Sequence, residues 1–453
     1  MRTRPPEVLY ALAENPALPE WAVRRLLRSR DEDTARHLAK NPNLPTVVRH
    51  RLAGHRSAFV RTGLLRSEDG RTPELYARFV TDPAPEVRAD LAASSGAPPE
   101  VRARLATDPD ATVRTALAQW WVEAPEAVRR TLLTDPDGAV RAAACAVYYP
   151  RLPHPVPPAD LHRALLDDPL TRAGVVPHLD LTPELATALA EDPDERVREK
   201  LAARADLPEA VLARLAEDPS PLVRLAVLLR RDSPEDLRAS IHAWLEAGAR
   251  ALADENLTDE QAELAVYHEL ALADLNLHLL PWLLEEPQLG LDSPYVCFRH
   301  SAALSDHLTP DQRARLLDDP VPHVRLAAAS YGIDPGTAER LERRHPARGK
   351  FRGRPADHAD FPVGTLRRFA TDEDPWIRRR AARDPDLPVE LLTALARDED
   401  RNVRLVAAGH PGLPVDVLVE LLDHPDRSTA AAAARAPRLP AAAVGRLLAD
   451  AGL

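Results

Sequence analysis

Apolar and polar positions along this 453-residue chain are arranged in short helical runs that come in pairs. Between Leu207 and Ala226, apolar residues fall at Val211, Leu212, Leu215 and Ala216, the offsets of one helical face. A second stripe, Leu222, Val223, Leu225 and Ala226, follows the break at Glu217-Asp218-Pro219. Pro208 is expected at the first helical position, where its missing amide costs nothing. Asp218 is expected to cap the second helix through its carboxylate, with Pro219 again opening the first turn. The pattern therefore predicts two short antiparallel helices per repeat. A pair this short cannot bury its own apolar face, so repeats must stack and share one continuous core.

The pattern returns about every 26 residues, which makes the chain a repeat array. Its marker is an aspartate followed six residues later by an arginine, with a valine before the arginine in most copies, at Asp82/Arg88, Asp108/Arg114, Asp135/Arg141, Asp192/Arg198, Asp218/Arg224, Asp319/Arg325 and Asp398/Arg404. Asp372-Glu373-Asp374-Pro375-Trp376-Ile377-Arg378 repeats it with Ile for Val. The arginine column also takes in Arg36, Arg61 and Arg172, and a degenerate copy lies near Thr429-Ala430. Residues six apart on a helix differ by about 240°, so each charge is expected to find its partner in an adjacent repeat. Such half-buried pairs set register rather than chemistry.

The rhythm divides the sequence into repeats over 1-231, an atypical helical segment over 232-310, and repeats over 311-453 with a basic loop near 340-361. In the atypical segment one helix opens at Ser233-Pro234. Another opens at Thr258-Asp259-Glu260-Gln261, which reads as a capping box. The second is expected to carry Leu264, Tyr267, Ala271, Leu275, His278, Leu279 and Trp282 on its apolar side, with Pro281 ending or bending it.

The unit Leu-Pro-x-x-Val-Leu-x-x-Leu-Ala-x-Asp-Pro-x-x-x-Val-Arg-x-x-Ala-Ala resembles the bacterial leucine-rich repeat variant family, a HEAT-like helical repeat. The resemblance covers most of residues 1-231 and 311-453. It implies an all-α fold, a right-handed α-α superhelix of two-helix repeats in which an Asp and Arg ladder runs between neighbours. One type within that family carries an amino-terminal cysteine cluster for an iron-sulfur centre. This chain has no cysteine before Cys145, so no cofactor is carried over.

Composition narrows the function classes. A formal net charge of -11 opposes a general nucleic-acid or anionic-membrane binder, since either needs a basic field. Arginine far outnumbers lysine, present only as Lys40, Lys200 and Lys350, which suggests a GC-rich bacterial coding sequence. Two distant cysteines, Cys145 and Cys297, are too few for a disulfide framework or a thiolate metal site. The opening Met1-Arg2-Thr3-Arg4-Pro5-Pro6 has no secretory core, and no apolar run approaches the roughly 18 residues of a membrane span. A cytoplasmic protein is expected.

Candidate chemistry lies where the rhythm breaks. Trp120-Trp121 and Tyr148-Tyr149 occupy nearly the same position in consecutive repeats, and stacking would bring them together as partner anchors or as plugs of a widened gap. Elsewhere this position holds Ser94-Ser95, Arg230-Arg231 or His410-Pro411, which suggests that it faces solvent. Arg343, Arg344, Arg348, Lys350, Arg352 and Arg354 form a basic, Gly-containing stretch with one acid, Glu342, and read as an exposed loop open to an acidic partner or nucleic acid. Cys297 with His300 has the residue types of a thiolate and base but only helical adjacency, so a core cysteine is the default. No metal-binding or phosphate-cradling motif appears. The expected function is a non-enzymatic scaffold for a protein or peptide partner. The alternative is a nucleic-acid-binding or DNA-processing array using a local basic face.

Overall fold

The computed structural model describes residues 5–65, 72–146, 156–253, 257–345 and 353–453. Among these residues the fold is all-helical, without strands, as the pattern predicts. The chain forms two compact bodies: a terminal body of Met1–Trp121 with Asp360–Leu453, and a central body of Val122–Ala359.

In each body, short helices stack in two layers, and Val, Leu and Ala side chains fill the space between the layers.

Turn chemistry places the helices slightly later than expected. Pro208 is the N-cap residue and the helix is Glu209–Ala216, so the proline sets the entry rather than the first turn. Asp218 does not cap its helix either. Its Oδ1 accepts from the Ser220 amide at 2.8 Å, and the helix Pro221–Leu228 starts one residue beyond Ser220. In several repeats the residue two past the register aspartate is itself an aspartate that caps, as with Asp110, Asp137, Asp194 and Asp400. The division of labour is physical: one carboxylate closes the turn and the next satisfies the free amides of the helix start.

That turn leaves the register aspartate free to accept from the preceding repeat. Arg88 donates from Nε and Nη2 to Asp108 at 2.7 and 2.8 Å, and from Nη1 to the Asp82 carbonyl at 2.6 Å. Arg61–Asp82, Arg198–Asp218 and Arg378–Asp398 repeat the fork. Each arginine therefore ties its own turn to the next repeat's carboxylate, 20 or 21 residues on. The hydrogen bond to Asp108 holds the Arg88 guanidinium above its ordinary pKa, against burial. The ladder also reaches into the segment expected to be atypical. Arg299 bonds the Ser293 carbonyl at 2.7 Å and Asp319 at 2.7 Å, so a regular repeat stands there with serine replacing the marker aspartate.

In the terminal body the two ends of the chain stack on each other in the same register. The helix Pro6–Ala13 packs against Arg427–Arg435, and Glu20–Leu26 against Ala441–Asp450. Buried Asn41 donates from Nδ2 to the Ala13 and Asn15 carbonyls at 2.9 and 2.7 Å. Buried Asn15 makes the same two-carbonyl contact with Ala434 and Ala436, at 3.1 and 2.8 Å. Arg435 and Arg427 add ion pairs to Glu14 and Glu7 at 2.5 and 3.5 Å. The apolar end that a stacked array otherwise has to cap is covered here by its own other end.

Candidate partner-binding cleft

The register fails in the central body just after Arg224. Arg224 still bonds the Asp218 carbonyl at 2.6 Å, but Trp244 stands 20 residues on where an aspartate would be, and the guanidinium lies over its ring at 3.8 Å. A short helix is then replaced by two long ones, Glu235–Arg250 and Asp259–Leu277. The second opens with the expected capping box of Thr258 and Gln261. It stops at Leu277, because His278 is extended and Pro281 starts a new helix, Pro281–Glu285.

This change of element length leaves a cleft of about 1000 Å³ beside the helix Pro221–Leu228. Leu222, Leu225, Ala226 and Leu229 form one side of its apolar lining, and Leu279, Leu280 and Trp282 the other. Trp282 is fixed by an Nε1–H bond to the Leu229 carbonyl at 3.3 Å and by an edge contact with Phe298 at 5.6 Å. The Leu280 amide donates to Ser301 Oγ at 2.9 Å, which pins the extended turn. Around the rim, charges occur as pairs: Lys200 with Glu199 at 2.9 Å, Arg231 with Glu286 at 2.8 Å, and Arg230 with Asp232 at 2.6 Å. Asp274 and His278 lie 3.4 Å apart. An apolar lining with a neutralised rim suits burial of apolar side chains, with polar groups left to orient a ligand. Among the described residues no group of three or more His, Cys, Asp or Glu is placed to hold a metal ion.

The residues singled out in the sequence are spread over different settings. Trp121 is buried with the Arg102 guanidinium over its ring at 4.8 Å, whereas Trp120 is exposed at the end of the helix Ala111–Trp120. Tyr148, Tyr149, Arg348, Lys350 and Arg352 lie outside the described residues. Arg343 pairs with Glu339 at 3.0 Å and Arg344 with Asp318 at 3.2 Å. Arg354 corrects the picture of an exposed basic loop at that position. It is buried and donates to the equally buried Glu342 at 2.5 Å, because the chain turns back at Pro355–His358 onto the helix Pro335–Arg344. A buried carboxylate needs such a cation.

Two other expectations change, and the default reading of Cys297 as a core residue holds. The two-residue slot is mixed rather than solvent-facing: Trp121, Arg230 and His410 are buried, Trp120, Ser95, Arg231 and Pro411 exposed, and Arg230 and His410 reach back to the preceding repeat. Arg230 donates to the Ala202 carbonyl at 3.1 Å, and His410 Nε2 lies 2.9 Å from the Asp384 carbonyl. Cys297 is fully buried and burial pushes its thiol up to about 12, so it is a core residue and no thiolate nucleophile. On the helix Asp259–Leu277 the buried residues are Ala265, His268, Ala271 and Leu275, while Leu264 and Tyr267 face solvent and Trp282 belongs to the next helix. Small alanines allow close approach to Glu235–Arg250, and the absence of a side chain at Gly248 makes room for the His268 ring.

A second set of buried arginines had no clear signal in the sequence. Arg49 and Arg102, with the half-buried Arg238 and Arg313, sit on the first helix of their repeats and donate to carbonyls at the end of the preceding helix or in the turn after it, as in Arg102 Nε to Ala92 at 3.1 Å. Burial pushes Arg102 down to about 10. Their one trace is an arginine at the fourth helical position, a place where solvent-facing arginines are equally common.

These features define a class: an all-α protein of stacked two-helix repeats with one interruption in register. No family model matches the chain, and no curated protein does. Solved structures similar to it include an engineered protein, at 17% identity over 92% of this chain and 97% of that one, with a TM-score of 0.15. Kap121p is similar at 15% identity over 92% of this chain, with a TM-score of 0.22, and Kap121p bound to Nup53p at 14% over 92%, also 0.22. The matched chain spans 47% of each Kap121p chain. TM-scores this low carry no weight for function, and the class rests on the repeats themselves.

Proposed function

We propose that the protein is a non-enzymatic scaffold that holds a protein or peptide partner, with the central-body cleft as its main contact. The cleft carries this reading: it combines a large apolar lining, a tryptophan fixed in place and a rim whose charges are already paired. An extended peptide can bury apolar side chains there while its backbone meets the polar rim. Trp120, exposed in the terminal body, is a second proposed anchor, as are Tyr148 and Tyr149. Arg343, Arg344 and Arg354 are engaged by Glu339, Asp318 and Glu342, so the nucleic-acid reading draws no support from them. The repeat unit's resemblance to the leucine-rich repeat variant family supports a bacterial, cytoplasmic member of the HEAT-like repeats. Among the described residues no helix is long and apolar enough to cross a membrane.

Selection of a peptide library on the full chain tests the cleft. The expected outcome is enrichment of peptides with apolar anchors whose binding is lost in Ala203→Trp, a change at an exposed position on the cleft lining. Binding of the selected peptides that survives this substitution, with an unchanged melting curve, excludes the cleft as their site.

A further inference from the structure

The outer face of the helix Asp259–Leu277 is unlike any other surface of the protein. Leu264, Val266, Tyr267 and Leu270 are 46, 43, 38 and 55% exposed. Among the described residues, every other helix exposes at most one large hydrophobic side chain to this degree. Tyr267 and Leu270, one turn apart, form the crest of an apolar ridge, with Leu264 on one flank and Val266 on the other. The inner face is already occupied through Ala265, His268, Ala271 and Leu275, and Tyr267 and Leu270 point away from it.

Acids stand at the two ends of the ridge and on one flank. The helix carries Asp259, Glu260, Glu263, Glu269 and Asp274 and no lysine or arginine. Other surface acids are matched by arginines from neighbouring elements, among them Asp160 with Arg130, Asp318 with Arg340 and Glu420 with Arg397, though exposed acids such as Glu184 and Glu209 are not matched among the described residues. Glu260, Glu263 and Glu269 have no cation within ion-pair distance among the described residues. Glu263, Tyr267, Leu270 and Asp274 keep the i, i+4, i+7, i+11 spacing of one helical stripe, about 16 Å long at 1.5 Å per residue.

We infer that this face docks a basic amphipathic helix of a partner protein. The partner's apolar stripe packs along Tyr267 and Leu270 between the flanking Leu264 and Val266, and its lysines or arginines pair with Glu260, Glu263 and Glu269. A helix is the matching shape because rows of side chains on one helix seat in the grooves of another. Charge selects the partner. A second copy of the same face would set acids against acids, and an anionic membrane or nucleic acid would be repelled. Tyr267, Leu270 and their flanking residues lie outside the cleft lining, and Asp274 alone belongs both to this stripe and to the cleft rim.

The test is fluorescence anisotropy on the full chain with three labelled 18-residue peptides: an amphipathic helix with Leu on one face and Lys and Arg on its margins, the same apolar face with Glu margins, and a scramble of the basic peptide. The expected result is saturable binding of the basic amphipathic peptide, at least tenfold tighter than the scramble and weakened by salt, with no binding of the acidic one. Leu270→Ser is expected to weaken it at least tenfold with an unchanged melting curve. Paired Glu263→Lys and Glu269→Lys substitutions are expected to reverse the preference between the basic and acidic peptides. Equal binding of the scramble, or affinity untouched by both sets of substitutions, overturns the inference. So does sedimentation showing a dimer that Leu270→Ser dissociates, since the occupant is then a second copy. Ala203→Trp leaves this binding unchanged, which separates failure here from failure of the cleft.

Discussion

Two places in the molecule test the register in opposite ways. At the seam of the terminal body, the first and last repeats are separated by more than 400 positions in sequence, yet Asn15 makes the contacts that Asn41 makes between consecutive repeats. In the central body the chain is continuous from Arg224 to Trp244, yet the repeat contact is replaced by a guanidinium over an indole. Continuity of the chain is therefore not what preserves the register. Matched polar groups on facing repeats preserve it, and where the match is lost the structure leaves a cleft and an apolar ridge unpartnered.

The largest effect is expected for the ladder. Arg88→Ala leaves the Asp108 carboxylate buried without its cation, and should cost about 3–5 kcal/mol in urea unfolding. Arg224→Ala should cost less, since it removes a ring contact and leaves no buried carboxylate unpaired. Equal losses would mean that the carboxylate is not what distinguishes the regular repeats.

A smaller effect is expected at the seam. Asn15→Ala and Asn41→Ala each remove two buried side-chain hydrogen bonds to facing carbonyls, at about 1–3 kcal/mol. Their agreement in chemical denaturation would establish the seam as an ordinary repeat contact. A cost confined to Asn41→Ala would show that the ends part in solution.

The smallest is a pH effect in the interrupted region. Burial, opposed by a backbone hydrogen bond from the Leu245 side and reinforced by the Arg224 charge, holds His268 below its ordinary value of 6.5. The unfolded chain therefore takes up a proton first. The stabilising effect of keeping His268 neutral is complete above about pH 6.5 and is lost as pH falls from there through the lower folded value. Amide protection factors in Glu235–Arg250 and Asp259–Leu277, corrected for intrinsic exchange, should fall over that interval, and His268→Leu should remove the dependence.

The repeat length, the paired helices and the ladder between neighbours were all legible, because spacing and side-chain charge are local properties of a sequence. The Thr258 capping box was legible for the same reason. The buried face of Asp259–Leu277 was not. Reading large apolar residues as buried selects Leu264 and Tyr267, but packing against a second helix favoured the small Ala265 and Ala271, with room at Gly248 for His268. Arg354 was misplaced for a related reason: an arginine in a basic stretch reads as solvated until the buried Glu342 beside it is known.

By itself, then, the sequence determined the repeat, its helical pairing and the contact that one repeat offers the next. These follow from residues within about 26 positions of one another, where chain geometry leaves few alternatives. Only the tertiary structure decided which repeats meet. It set the first on the last through Asn15, and it substituted Trp244 for a carboxylate opposite Arg224. Both outcomes depend on the packing of side chains distant in sequence, and a pattern of spacings does not contain that information.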